Sequence, residues 1–245
     1  HVRGPEAKRL HTTLYYQTVL KRAVQKAKKI ITVSQFSKKE VMAYYKISEN
    51  KISVIYNGVS STFSPFENKQ QMDACRIKYR LPKRFILWIG NSKKHKNLER
   101  TVLAFERLKT DVKLVLVGVN YQTTHPQIHS VGHVDAQDLV CLYQLSAFFV
   151  YPSLYEGFGL PVMEALACGK KIVVSDRSPL SEIAGTAAIL VDPLDIDAIA
   201  NAMQRLLSDP QTYQADQEGI RHSQKFSWEE AARKTLEVYE NCNRS

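Results

Sequence analysis

From residue 84 onward, short apolar runs alternate with stretches of helical period, and this rhythm restricts the fold more than any other feature of the chain. The runs fall at 84–90, 113–118, 128–133, 147–152, 171–175 and 188–191. Between them, apolar residues recur every three or four positions at 97–109, 136–146, 160–168, 179–184 and 195–208. Strands that are apolar throughout are buried on both faces. The pattern therefore predicts an α/β fold, a parallel sheet with helices on both sides. Ligands of such sheets bind beyond the carboxyl ends of the strands. Two closing helices are expected at 211–224 and 228–242.

The opening part reads differently. Tyr16, Val19, Leu20, Ala23, Val24 and Ala27 recur at helical spacing within Thr13 to Lys29, with Lys21, Arg22, Gln25, Lys26 and Lys29 on the other faces. That is an amphipathic, basic helix. Ile30 to Val33 reads as a strand, and Ser37-Lys-Lys-Glu40 has the spacing of a capping box that opens a helix to about Tyr45. A strand follows at 51–56, then a turn at Asn57-Gly58 and a Ser- and Pro-containing stretch to Pro65. This divides the chain into 1–58, a linker and domain entry at 59–83, the alternating domain at 84–226 and a terminal helix at 227–245.

Charge follows the same division. Of the net +10, residues 1–51 hold 12 Lys/Arg against 3 Asp/Glu, and residues 52–245 hold 22 against 21. The basicity belongs to one segment. An anionic membrane surface or a nucleic acid would explain it, and a solvated helix face fits equally well. Nucleic acid is the weaker reading, because Tyr15 and Tyr16 suit a packing stripe as well as a stacking platform. No apolar run approaches the roughly 18 residues of a membrane span. The most apolar stretch, near Leu139 to Leu154, is interrupted by Gln144, Ser146 and Pro152. No secretory leader is visible, and the start at His1 rather than Met leads us to expect residues upstream. Cys75, Cys141, Cys168 and Cys242 are scattered without a C-x-x-C pair, which suits reduced thiols in a cytoplasmic protein and not a metal site.

Three strand ends carry candidate chemistry. After Ile86-Leu-Trp-Ile-Gly90 comes Asn91-Ser-Lys-Lys-His-Lys-Asn97, where Lys93, Lys94 and Lys96 crowd a turn that Asn97 is placed to convert into a helix. Lysines beside a helix N-terminus suit a phosphate, although a solvated loop explains them as well. Val131-Gly-His133-Val134 ends another strand; its backbone suits a planar base, while His133 alone fits a structural role. The third is Glu156-Gly-Phe-Gly-Leu-Pro-Val-Met-Glu164. Gly157 and Gly159 allow close backbone approach, and Pro161 suits a first helical turn. The amides of Phe158, Gly159 and Leu160 are then expected to face an anion. Glu164, one turn into the helix, suits the paired hydroxyls of a ribose, and Glu156 the hydroxyls of a second sugar. No G-x-G-x-x-G follows the first strand and no G-x-x-x-x-G-K-[ST] occurs, so dinucleotide and P-loop sites are not indicated. No residue cluster has metal-ligand spacing.

The stretch YPSLYEGFGLPVMEALACGKKIVVSD resembles the signature of retaining glycosyltransferases of family four, which have the GT-B fold. ITVSQFSKKEV, VIYNGV, GNSKKHKN, VGHV, SEIAG and AILVDP occur around it in the family's order. The resemblance implies a Rossmann-like donor domain at 84–226, preceded at 1–58 by the end of the acceptor-side domain, onto which the 227–245 helix crosses back. It implies that Glu164 holds the donor ribose, that Glu156 contacts the transferred sugar beside the Gly157, Phe158, Gly159 and Leu160 backbone, and that Lys96 neutralises the diphosphate in place of a metal. Gly90, Asn91 and Lys93 line the same pocket, and His133 and Val134 border the base. Many relatives have Arg where Asn91 stands, which leaves the second diphosphate cation unassigned. The family's histidine near the reaction lies outside the matching part, and His1 cannot be equated with it. Subgroups with an H-K-N turn, as at His95-Lys96-Asn97, often resemble mannosyltransferases.

The expected activity is metal-independent transfer of a hexose from GDP-mannose or a UDP-hexose to a glycan or lipid-linked acceptor in cell-surface polysaccharide synthesis. No cofactor is expected, and the setting is cytoplasmic, at the inner membrane face. A GT-B-fold sugar-nucleotide epimerase and a non-catalytic nucleotide-sugar-binding fragment are the alternatives.

Overall fold

The computed structural model describes residues 15–244 apart from Glu67 and Pro210. His1 and the first residues of the expected opening helix lie outside them. A π-helical turn (Tyr16–Leu20) runs into α1 (Lys21–Lys26). Of the expected apolar stripe, Tyr16, Leu20, Val24 and Ala27 are partly covered, while Val19 and Ala23 face outward. β1 (Ile30–Thr32) and β2 (Ile52–Val54) form a parallel pair in the register Ile30↔Ile52, linked by α2 (Gln35–Tyr45). The capping-box expectation needs correction: α2 begins at Gln35 with Ser34 as its cap, and Ser37 is the third residue inside it. Within the stretch read as a linker, Asn68 caps a further helix, α3 (Lys69–Lys78).

The six remaining strands are β3 (Phe85–Ile89), β4 (Lys113–Val117), β5 (Ile128–Gly132), β6 (Phe149–Tyr151), β7 (Ile172–Ser175) and β8 (Ile189–Val191). They form one sheet in the order β5-β4-β3-β6-β7-β8, with every pair parallel. The connecting helices are α4 (Leu98–Glu106), α5 (Ala136–Leu145), α6 (Leu160–Ala167), α7 (Ser178–Ala184) and α8 (Ile196–Leu207). Side chains alternate across a strand. Phe85 and Leu87 therefore join Val115, Val117, Phe149 and Tyr151 in a core shared with α5, α6 and α7, while Ile86 and Trp88 join Leu114, Leu116 and Val150 beneath α4 and α8. The expected 211–224 helix is shorter, α9 (Gln217–Ser223), because residues 211–216 form turns.

The chain then turns into α10 (Trp228–Arg244). The outgoing and returning passages touch: Val59 N donates to Phe226 O at 3.1 Å, and a Cβ on Gly58 would lie 2.2 Å from Trp228 N. Only glycine fits that approach. α10 passes beside the β1–β2 pair, where Ile31, Val33 and Ile55 share an apolar groove with Trp228, Leu236 and Tyr239. Lys28 Nζ donates to Cys242 O at 2.9 Å.

Candidate functional site: the crevice at the strand-order reversal

The order β5-β4-β3-β6-β7-β8 reverses between β3 and β6, the point in an open parallel sheet where the crevice beyond the strand ends takes a ligand. Of the loops after these two strands, the first starts tightly. Gly118 has φ +84°, and a Cβ there would lie 2.3 Å from Gly90 O, so the ends of β3 and β4 meet backbone to backbone. Asn91 Oδ1 accepts from Lys93 N at 3.1 Å, and a 3₁₀ turn (Lys94–Lys96) follows. Asn97 precedes α4 as expected, but its side chain does not cap it. Buried at φ 58°, it donates through Nδ2 to Pro152 O at 2.9 Å and Pro193 O at 2.6 Å. His95 O accepts from Leu154 N and from Ser153 Oγ, both at 2.7 Å. The two loops are thus stitched together through buried backbone.

This stitching brings Lys96 to Glu156. Lys96 Nζ lies 2.8 Å from Glu156 Oε1 and donates to Tyr151 Oη at 2.5 Å. Tyr151 Oη donates to the same carboxylate oxygen at 2.7 Å, and Ser153 Oγ lies 2.9 Å from it. Glu156 is only 8% exposed and the Lys96 side chain 15%. A carboxylate so enclosed is tolerable because its charge is paired and hydrogen-bonded. Burial and the Glu156 charge push the Tyr151 phenol well above its ordinary range, so it remains a donor.

Beyond Glu156 the backbone carries donors that the fold leaves unpaired. The N–H groups of Gly157, Phe158, Gly159 and Leu160 reach no acceptor among the described residues. Gly159, at φ +106°, turns the chain into α6, and a Cβ there would lie 2.5 Å from Leu180 Cδ2. Gly157 carries no such requirement; a Cβ there would meet only Val33, at 4.0 Å. Pro161 occupies the first turn of α6, where a missing N–H costs nothing. Consecutive free amides at a helix N-terminus attract anions. Four residues along, Glu164 Oε2 is 3.0 Å from Tyr143 Oη. Burial raises the Glu164 carboxyl, and the Tyr143 hydrogen bond opposes part of that rise.

Asn91 and Lys93 lie on the exposed part of the first loop. At the end of β5, His133 is exposed, but the Val134 side chain is buried in the core, so of the two residues only His133 leaves its side chain accessible. Sequence reasoning missed the supporting groups Tyr143, Tyr151, Ser153 and the Asn97 amide. For Tyr143 and Tyr151 the only signal was a hydroxyl on a residue of an otherwise apolar run; Asn97 was read as a helix start.

Residues 74–223 match the family described as Glycosyl transferases group 1, and residues 2–63 match Glycosyltransferase Family 4. The chain belongs to the glycosyl transferases group 1 family. This group 1 chain is 32% identical over 243 residues to O-antigen chain mannosyltransferase B of Escherichia coli, across 92% of this chain and 64% of that protein. Among solved structures, sucrose-phosphate synthase from Thermosynechococcus elongatus is similar at a TM-score of 0.82 and 25% identity, over 99% of this chain and 64% of that one. Anabaena Alr3699/HepE in complex with UDP and glucose is similar at a TM-score of 0.83 and 17% identity, over 98% and 69%. The architecture is GT-B: a Rossmann-like parallel sheet with helices on both faces, joined to part of a second α/β domain. The chain spans 64% of the length of the mannosyltransferase.

Proposed function

We propose that the chain is the donor-binding part of a retaining glycosyltransferase that moves a hexose from a nucleoside-diphosphate sugar to a glycan or lipid-linked acceptor in polysaccharide synthesis. The observation that carries this reading is the Lys96–Glu156 pair set at the edge of four free amides. The amides and Lys96 take the diphosphate, Glu164 the ribose and Glu156 the transferred sugar. Negative charge grows on the diphosphate as the glycosidic bond breaks, and preorganised N–H groups and an ammonium stabilise it there. The same cation fills the place that a divalent metal would take, so the reaction needs neither a metal nor a resident cofactor. A mannosyltransferase relative supports mannose as the sugar, which we assign to GDP-mannose, and a neighbour holding UDP and glucose supports a UDP-hexose.

A thermal-shift panel of GDP- and UDP-sugars tests this. A ligand at a hundred times its Kd stabilises by about 2.7 kcal/mol, which is about 5–10 °C in Tm at this chain length. Glu164→Ala is expected to weaken that ligand about tenfold, the effect of losing about 1.4 kcal/mol of hydrogen bonding to the ribose. If no nucleoside diphosphate or its sugar shifts Tm, the reading fails.

The basic segment supports a second contact, with an anionic membrane surface at the cytoplasmic side. Lys21, Arg22, Lys26, Lys28, Lys29, Lys39 and Lys46 are all exposed. No helix among the described residues is long and apolar enough to cross a membrane. Co-sedimentation with vesicles containing anionic lipid should fall steeply between about 0.05 and 0.5 M salt, as screening shortens the Debye length. Equal pelleting with neutral vesicles would sink this contact.

A further inference from the structure

We propose that Glu182, Ser34 and Ser37 are positioning residues for the transfer reaction, through which the N-terminal segment fixes the shape of the donor loop. The inference rests on the donor-site reading above and adds residues that lie outside that site. Helix α2 has eleven residues, and its first three N–H groups need partners. Gln35 N donates to Glu182 Oε1 at 2.8 Å and Phe36 N to Glu182 Oε2 at 3.0 Å; Ser37 N donates to Ser34 Oγ at 3.0 Å. Glu182 belongs to α7, so a carboxylate of the donor domain caps a helix of the other domain, at its positive end. Tyr56 Oη, also from the N-terminal segment, donates to Glu182 Oε1 at 2.9 Å.

The capped turn grips the donor loop. Ser34 Oγ and Ser37 Oγ lie 2.9 and 3.2 Å from Gly157 O, and the Ser34 side chain is fully buried. Gly157 C=O and Phe158 N–H belong to one planar trans peptide and point in opposite directions. Hydroxyls that hold the carbonyl therefore fix the Phe158 N–H, one of the four free amides. On the other side of Glu156, the Tyr155 ring packs edge-on against Phe36 with centroids 5.5 Å apart, and its hydroxyl donates to Glu40 Oε2 at 3.3 Å. Both neighbours of Glu156 are thus held by α2. Lys96, Glu164 and the Gly157, Gly159 and Leu160 amides make no bond to this clasp, so it acts on the sugar-facing loop and one amide and leaves most of the nucleotide site in place.

The test uses Ser34→Ala/Ser37→Ala and the isosteric Glu182→Gln. Affinity for GDP and UDP is read by calorimetry, and turnover by nucleotide release from GDP-mannose and UDP-glucose. Nucleoside-diphosphate binding keeps Lys96, Glu164 and the other three amides, so it is expected to weaken by no more than about threefold, the loss of one weak hydrogen bond. Turnover is expected to fall about tenfold or more, the rate lost when reacting groups are slightly misplaced. Ser37→Thr keeps a hydroxyl and should recover most of the turnover lost in Ser37→Ala. Unchanged turnover in both variants overturns the proposal, and so does a parallel loss of turnover and nucleotide affinity, which marks a general structural role. If the unmodified protein binds neither GDP nor UDP, the donor reading falls, and this inference with it.

Discussion

Lys96→Ala should slow transfer about 10²–10³-fold, the usual consequence of removing one preorganised group that stabilises transition-state charge. Nucleotide release at saturating donor measures it. The effect should fall on kcat more than on donor affinity, because the open amides of residues 157–160 and the Glu164 carboxylate remain. The substitution also removes the ammonium 2.8 Å from a carboxylate that is 8% exposed. Breaking a buried pair costs about 3–5 kcal/mol when the remaining charge is uncompensated. Here Tyr151 and Ser153 still reach Glu156 Oε1, which places the loss at the lower end of that range. The double variant Lys96→Ala/Glu156→Gln removes the stranded charge as well. It should regain much of the Tm and none of the rate, so the two roles of Lys96 can be read separately. A single variant within about threefold of the native rate would remove Lys96 from the chemistry, since a loss that small is less than 1 kcal/mol of barrier.

Gly159→Ala should destabilise the protein strongly. The φ of +106° is hostile to an L side chain, and the new Cβ would lie 2.5 Å from Leu180 Cδ2, whose side chain is fully buried. Backbone strain of about 1–3 kcal/mol and overpacking of about 1–3 kcal/mol both act. A Tm loss on the order of 10 °C is expected at this chain length. Scanning calorimetry of Gly159→Ala, Leu180→Ala and the pair tests the cause. Removing the Leu180 side chain relieves the contact, so the pair should lose clearly less than the sum of the single changes. Additive losses would mean that the two residues do not meet.

The six-stranded sheet was legible because its strands are buried on both faces, and an unbroken apolar run such as Phe85–Ile89 has few other ways to pack. Helix α3 was not legible. Met72, Cys75 and Ile77 are its only large apolar residues, Cys75 alone is buried, and the segment reads as a polar connector until its neighbours are known. The start of α2 failed for another reason. Ser34 and Ser37 are both plausible caps, and the choice is made by Glu182, which meets the first turn from 147 positions away. Within the crevice, the glycine and proline pattern revealed the loop and its two glutamates. That Lys96 meets the first glutamate, and Tyr143 the second, depends on strand order and not on local spacing.

The placing of β3 at the centre of the sheet has a consequence for how the polypeptide acquires its form during synthesis. One edge of β3 is paired as soon as residues 113–117 exist, but Leu87 waits for Phe149 on the other side. Non-local pairing of this kind is slow, because a long loop must close before any contact repays it. In the interval an edge reading Phe-Ile-Leu-Trp-Ile is exposed, and an apolar open edge is where chains join one another. The arrangement that later forms the crevice is thus also the point at which a nascent chain is most exposed to self-association.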